Sequence, residues 1–287
     1  MPELPEVEMV RRQLASKIIH KKISDVQVLD WKSVDHNKDF QQTVIGSEII
    51  NIDRVGKYLF LSLNKEDLYV IGHLKMTGRM IYQAADDDTQ YGGGHSLSGD
   101  LLNQPHKHTR IIYTFVDGSH LYFNDMRKFG YMKLAKESEV MDQKAALGPE
   151  PGSKEYSVTY LSELMSDRKT TVKAALLNQR DIAGLGNIYV DEACWRAEIR
   201  PQRIAGKLSD NDIDKLHTAT CSILQDAVMY GGTTFRDYTD TDGQQGNFSD
   251  ELKVFARQGK KCPRCGEVIK KDRVAGRGTH FCPGCQL

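Results

Sequence analysis

Gly148-Pro149-Glu150-Pro151-Gly152 divides this chain into two regions of different pattern. Two prolines and two glycines in five residues interrupt any helix or strand, so the segment reads as a linker. On its N-terminal side the patterns are mostly β after one leading helix. Pro5 to His20 reads as that helix, with Val7, Val10, Leu14 and Ile18 on one face and Glu6 and Glu8 in the first turn. Tyr58–Leu63 and Leu68–Gly72 read as neighbouring strands around a polar turn. Arg110–Val116, Asp117-Gly118 and Ser119–Phe123 read as a hairpin with a strong turn signal. Between them, residues 84–105 are rich in Gly, Asp and Ser and read as a long mobile loop or insertion.

On the C-terminal side, Tyr160–Met165, Thr170–Asn178 and Asn187–Ala197 read as short helices. A longer helix is expected from an N-cap at Ser209 to Tyr230, with Gly231 stopping it. The stretch 232–250 reads as loop, and a cysteine module closes the sequence. The spacing thus predicts an α+β multi-domain chain: a β domain over 1–135, a linker over 136–152, a helical domain over 153–250 and a metal module over 251–287.

The 287 residues suffice for two domains, and 39% hydrophobic with 27% charged residues describes a soluble globular protein. No apolar run approaches the ~18–20 residues of a membrane span, and no basic-then-apolar leader is seen, so a cytoplasmic location is expected. Lys+Arg and Asp+Glu balance at 39 each, but the distribution is uneven. Residues 251–287 carry nine Lys/Arg against three Asp/Glu, whereas 84–105 carry four Asp and no Lys/Arg. A basic tail on a neutral chain fits a directed electrostatic contact.

The strongest chemical signal is Cys262-Pro-Arg-Cys265 followed, after sixteen residues, by Cys282-Pro-Gly-Cys285. Two such knuckles can set four thiolates tetrahedrally around one zinc, and four protein ligands leave no open position, so the metal is expected to be structural. Cys194 and Cys221 fall within expected helices and read as core filler. Between the knuckles, Arg277 sits at a ribbon tip between Gly276 and Gly278, shaped either as a solvated turn or to insert a guanidinium between phosphates. Gly184-Leu185-Gly186 opens a helix that could hold a phosphate, but lacks the preceding strand of a dinucleotide site, so no nucleotide cofactor is expected.

The start, Met1-Pro2-Glu3-Leu4-Pro5-Glu6, carries a second chemistry. Initiator methionine is normally removed before a residue as small as proline, which would leave Pro2 with a secondary amine able to form an iminium with an aldehyde carbon. With reference pKa values of roughly 7.8 and 10.4, such a terminus is neutral at pH 7 up to a few hundred times more often than a lysine. Glu3 beside it could move protons. The plainer reading is an ordinary terminus with a proline-punctuated helix start. Met76 after one strand, and Arg127 with Phe129 after another, could form a wedge for a base stack, or serve as core.

Taken together these residues resemble the formamidopyrimidine-DNA glycosylase family. The resemblance runs through Pro2–Glu6, Gly56-Lys57-Tyr58-Leu59, His73-Leu74-x-Met76, Arg127-x-Phe129-Gly130, Leu147–Pro151, Gly184–Tyr189, Gly231-Gly232-Thr233 and the four-cysteine finger with Gly276–Phe281. It covers nearly the whole chain in the family's order. It implies a catalytic role for the β domain over 1–135, as an eight-stranded β-sandwich with a leading helix, together with a helix–two-turns–helix domain, a zinc ribbon and damaged double-stranded DNA as partner. It further implies excision of oxidised purines, with Pro2 as nucleophile and Glu3 moving protons. Lys57 would assist β-elimination and Arg277 δ-elimination. His73 and Asn187 would clamp phosphates, His108, Arg127 and Arg168 would contact DNA, and Met76, Arg127 and Phe129 would fill the gap left by a flipped base. Residues 236–249 would form the loop over that base. A monomer is expected.

Three departures stand out. His108-Thr109-Arg110 replaces the family's usual His-Asp-His, Ala174 replaces a usual proline, and the 84–105 stretch is longer and acidic. The endonuclease VIII branch, which prefers oxidised pyrimidines, is the nearest alternative. A non-catalytic zinc-ribbon DNA-binding protein is the other, and it has no need of Pro2, Glu3, Lys57 and Arg277 together.

Overall fold

The computed structural model describes residues 2–85, 104–233 and 248–287, and the backbone of 90–93. Its chain divides into two compact units. The first is built on residues up to Ala145 together with Gly231–Thr233, and the second on Ala146–Tyr230 with Phe248–Leu287.

In the first unit, helix α1 (Leu4–Ile18) precedes two antiparallel sheets. Its apolar stripe lies where the spacing predicts, with Val7, Val10, Leu14 and Ile18 all buried. The strands are β1 (Ile23–Val28), β2 (Ile49–Val55), β3 (Tyr58–Leu63), β4 (Tyr69–His73), β5 (Gly78–Gln83), β6 (Gln90–Gly93), β7 (Thr109–Phe115), β8 (His120–Asp125) and β9 (Tyr131–Ala135). One sheet runs β1-β7-β8-β5-β6 and the other β2-β3-β4-β9. Alternation along each strand sends Leu59, Leu61 and Leu63 from one sheet, and Ile111, Tyr113 and Phe115 from the other, into one core that also takes the α1 stripe. The β3–β4 neighbours and the β7–β8 hairpin are as expected from the sequence.

Two features differ from expectation. The resemblance implies eight strands, yet β6, inside the 84–105 stretch, pairs with β5 at Met80↔Gly93 to Gln83↔Gln90 and adds a fifth strand to its sheet. The remaining parts of that stretch, 86–89 and 94–103, lie outside the described residues. Within the expected linker, α3 (Glu137–Ala145) is a helix. Its Val140 is buried on the outer face of the second sheet, against Phe60, Ile71 and Ala135. Phe60 and Ile71 face away from the inner core and would meet water without that cover. A short helix, α2 (Phe40–Val44), closes one end of the core with Phe40 and Val44.

The second unit holds helices α4 (Val158–Met165), α5 (Val172–Leu177), α6 (Asn187–Arg196) and α7 (Asp210–Met229), and a ribbon of β10 (Lys270–Val274) and β11 (Arg277–Phe281). Ser209 caps α7 as read, accepting from the Asp212 amide. The Thr171 hydroxyl accepts the amide of Ala174 at 3.2 Å, a capping bond that the family's usual proline at this position could not make. Among the described residues no helix is long and apolar enough to cross a membrane.

Candidate active site

In the first unit the N-terminus is fixed from behind. Pro2 and Glu3 are buried. One carboxylate oxygen of Glu6 accepts the Glu3 amide at 2.8 Å. Its other oxygen accepts the amide and hydroxyl of Thr233 at 2.9 and 3.1 Å. Gly232, at φ +82°, lies so close that a Cβ there would stand 2.8 Å from the Glu6 carboxylate. The residues leading into 234–247 are therefore hydrogen-bonded to the turn that presents Pro2. Apart from Phe248 and Ser249, the loop assigned to cover a flipped base lies outside the described residues.

Lys57 sits in the two-residue turn Gly56-Lys57 between β2 and β3, where Val55 pairs with Tyr58. Gly56 adopts φ +58°, the left-handed conformation such a turn requires. Arg54 donates to the Gly56 carbonyl at 2.9 Å and pairs with Glu8 of α1 at 3.0 Å, so α1 and the Lys57 turn are tied by one guanidinium. Burial alone would raise the Glu8 pKa. Hydrogen bonds from Arg11, Arg12 and Arg54 outweigh it and hold Glu8 down at about 2. Lys57 is itself nearly buried.

His73 ends β4 opposite Tyr58. Burial first, then the positive charges of Lys75 and Lys57, lower its pKa to about 3, so the ring is neutral at physiological pH. Its Nδ1 accepts the Lys75 amide at 2.9 Å, which leaves the proton on Nε2. His73 is thereby set as a single neutral donor.

Met76 and the Arg127–Phe129 turn come together through Asp125. This fully buried carboxylate accepts the Arg127 amide at 3.1 Å, the Phe129 amide at 2.8 Å, the Gly130 amide at 2.7 Å and the Thr77 hydroxyl. Thr77 in turn accepts from the Arg127 amide at 3.1 Å. Met76 and Phe129 are 40% and 46% exposed, far more than core residues, and the Arg127 guanidinium lies 4.9 Å from the Phe129 ring centre. Exposed apolar tips on a rigid polar base suit insertion into a stack and do not suit a core. Arg110 donates to the Asp125 carbonyl at 2.8 Å, so the departure in His108-Thr109-Arg110 supports the same turn. The His108 carbonyl accepts the Asp125 amide, and burial, His106, Arg110 and Lys107 lower the His108 pKa. Asp125 and Arg110 have no motif of their own. The only local signal is an aspartate ending a strand before a turn.

In the second unit Asn187, the first residue of α6, donates to the Gly278 carbonyl at 3.0 Å, and the fully buried Lys173 reaches the same carbonyl at 3.3 Å. Lys173 pairs with the equally buried Asp191 at 2.6 Å, and Asp191 accepts the His280 amide at 2.8 Å. This network seats β11 on α5 and α6 and leaves Arg277, one residue before Gly278, exposed at the tip. Asn187 and Arg277 are thus neighbours. Arg168 stands apart from them: its guanidinium pairs with Asp181 at 2.8 Å and donates to the Leu164 carbonyl.

The sulfur atoms of Cys262, Cys265, Cys282 and Cys285 all lie within 4.8 Å of one another. Zinc–thiolate bonds of about 2.3 Å in a tetrahedron require sulfurs roughly 3.8 Å apart. The 3.7 Å between Cys262 and Cys285 and the 3.4 Å between Cys265 and Cys282 fit that spacing. The indole of Trp195 donates to the Cys262 sulfur at 3.4 Å, and Arg264 stacks 4.1 Å from the Trp195 ring centre.

Sequence comparison accounts for this combination. Residues 1–132 match the formamidopyrimidine-DNA glycosylase N-terminal domain, 147–239 match the formamidopyrimidine-DNA glycosylase H2TH domain, and 259–287 match the zinc finger found in FPG and IleRS. The chain belongs to the formamidopyrimidine-DNA glycosylase family. Formamidopyrimidine-DNA glycosylases of Desulfitobacterium hafniense and Geobacillus kaustophilus are 40% and 41% identical to it, each over the full length of both chains. A Lactococcus lactis Fpg bound to abasic-site DNA aligns over the whole of both chains at 35% identity and a TM-score of 0.87. A MutM structure with carbocyclic 8-oxo-G DNA aligns equally fully at 34% and 0.86. As a member of this family the chain is a DNA-repair glycosylase and AP lyase with one structural zinc in its finger.

Proposed function

We propose that this enzyme excises oxidised purines, 8-oxoguanine and formamidopyrimidines, from duplex DNA through an N-terminal proline Schiff base and then cleaves the strand by β,δ-elimination. In the proposed path the Pro2 nitrogen attacks C1′ of the damaged nucleotide. The glycosidic bond breaks with its electron pair leaving on the base, which is protonated as it departs. Ring opening gives an iminium between Pro2 and C1′, with Glu3 supplying and accepting the protons. β-Elimination then removes the C2′ proton, forms the C2′–C3′ double bond and breaks the C3′–O bond, with Lys57 as proton donor to the departing phosphate. δ-Elimination removes the C4′ proton and breaks the C5′–O bond, with Arg277 in that donor role. His73 and Asn187 hold phosphates, His108, Arg127 and Arg168 contact DNA, and Met76, Arg127 and Phe129 occupy the space of the extruded nucleotide.

The observation that carries this reading is the anchoring of the N-terminal turn by Glu6, because a nucleophile on a frayed terminus would lack the fixed geometry catalysis needs. The fixed neutral tautomer of His73 supports the phosphate role. Labour is divided along the chain between a catalytic sandwich over 1–135, a helix–two-turns–helix region over 153–250 and the ribbon over 251–287. Residues 136–152 join them and include α3. The test is borohydride trapping with defined duplexes. A covalent adduct on 8-oxoguanine and abasic DNA, lost when Met1 is retained, is expected. Absence of any adduct would sink the mechanism, and trapping on oxidised pyrimidines alone would move the chain to the endonuclease VIII branch.

A further inference from the structure

A cleft of about 440 Å³ opens beside Phe129 in the first unit, walled by Lys32, Asp35, His36, Lys128 and Lys133 as well as the ring itself. We propose that this cleft binds a phosphate of the DNA backbone, so that the enzyme grips the duplex beyond the wedge as well as at the lesion. This rests on the glycosylase reading above and adds a contact to it.

Charge is the first support. Three lysines and a histidine face the cleft against a single carboxylate, Asp35. Lys128 is already drawn to Asp30 at 3.0 Å, but among the described residues neither Lys32 nor Lys133 has a carboxylate at ion-pair distance. Two ammonium groups with no carboxylate partner among the described residues, lining one concavity, suit an anion, and point charges without a guanidinium fork suit a phosphate approached from varied directions. Continuity is the second. The Phe129 ring is shared: Arg127 lies 4.9 Å from its centre and Lys32 5.7 Å, so a duplex opened by Phe129 brings its backbone past Lys32. Third, Asp35, His36 and Lys128 all hold left-handed backbone, at φ 56°, 57° and 56°, although none is glycine. Asp and His tolerate that conformation, the lysine does so less readily, and all three residues line the cleft.

The test is the salt dependence of binding to a duplex carrying an abasic-site analogue, comparing the parent with Lys32→Ala/Lys133→Ala. Each lost phosphate contact removes about one unit from the slope of log Kd against log salt. The double variant should lose about one unit, since both lysines serve the same phosphate, while Lys22→Ala, outside the cleft, keeps the parental slope. Lys32→Glu, a separate surface change, should weaken binding at low salt more than Lys32→Ala does. A double variant with the parental slope, or a reversal no worse than the alanine, overturns the proposal. So does competition by inorganic phosphate at constant ionic strength that the double variant abolishes while keeping its slope, since that marks a free-anion site. A parent that binds no lesion duplex at all removes the glycosylase reading, a result distinct from an unchanged slope.

Discussion

Asp125 shows how one side chain can organise a functional turn. Its two oxygens satisfy three backbone amides and a hydroxyl in a site closed to water, where each unmet donor costs about 1–3 kcal/mol. Asp125→Asn keeps the shape but turns an amide NH2, itself a donor, toward some of those donors. It is expected to lower stability by roughly 2–3 kcal/mol in denaturant titration. It should also slow excision of a paired lesion more than cleavage at a preformed abasic site, because only the former needs base extrusion. Equal losses on both substrates would assign Asp125 to stability alone. Arg277 is the opposite case, an exposed side chain on a paired strand. Arg277→Ala should reduce strand cleavage at least tenfold while the zinc content, read with a colorimetric chelator, stays at one per chain. Full activity in that variant would remove Arg277 from the reaction.

Among the elements, α1 carries a dense electrostatic tie. Glu8 faces three arginines, and one of them, Arg54, also holds the turn bearing Lys57. The folded pKa of about 2 lies below the ordinary 4.5, so the bonds of the ionised form stabilise the fold above pH 4.5. That contribution is lost as pH falls from 4.5 toward 2. Glu8→Gln should therefore be less stable than the parent at neutral pH by roughly 1–2 kcal/mol, and the gap should close in acid. A gap independent of pH would show that packing, not charge, sets the role of Glu8. The ribbon offers the second instance. The buried Lys173–Asp191 pair and Asn187 seat β11 on two helices, so the direction of Arg277 is set by residues about 90 to 105 positions away in sequence.

At the scale of the whole molecule the metal and the fold are coupled. Zinc can contribute on the order of 10 kcal/mol to so small a module. Because Trp195 donates to Cys262, stripping the metal from a Trp31→Phe variant should change the emission of its single remaining tryptophan and abolish DNA cleavage together, and zinc should restore both. Unchanged emission would contradict that coupling. Much of this was legible in sequence. The α1 stripe, the β7–β8 hairpin, the Ser209 cap and the cysteine spacing depend on residues near one another in the chain, and those local patterns determined the element types, the zinc ligands and the family. α3 was hidden because its Val140 contacts Phe60 and Ile71, and β6 because its partner β5 lies across a stretch with no strand pattern. Tertiary structure alone decided how these residues are held: Glu6 with Thr233, Glu8 with Arg54, Asp125 beneath the Arg127–Phe129 turn, and Lys32 and Lys133 around one cleft. Partners such as Glu6 and Thr233, 227 residues apart, leave no periodic trace, since a carboxylate's choice among distant donors is fixed only when packing brings them within hydrogen-bond reach.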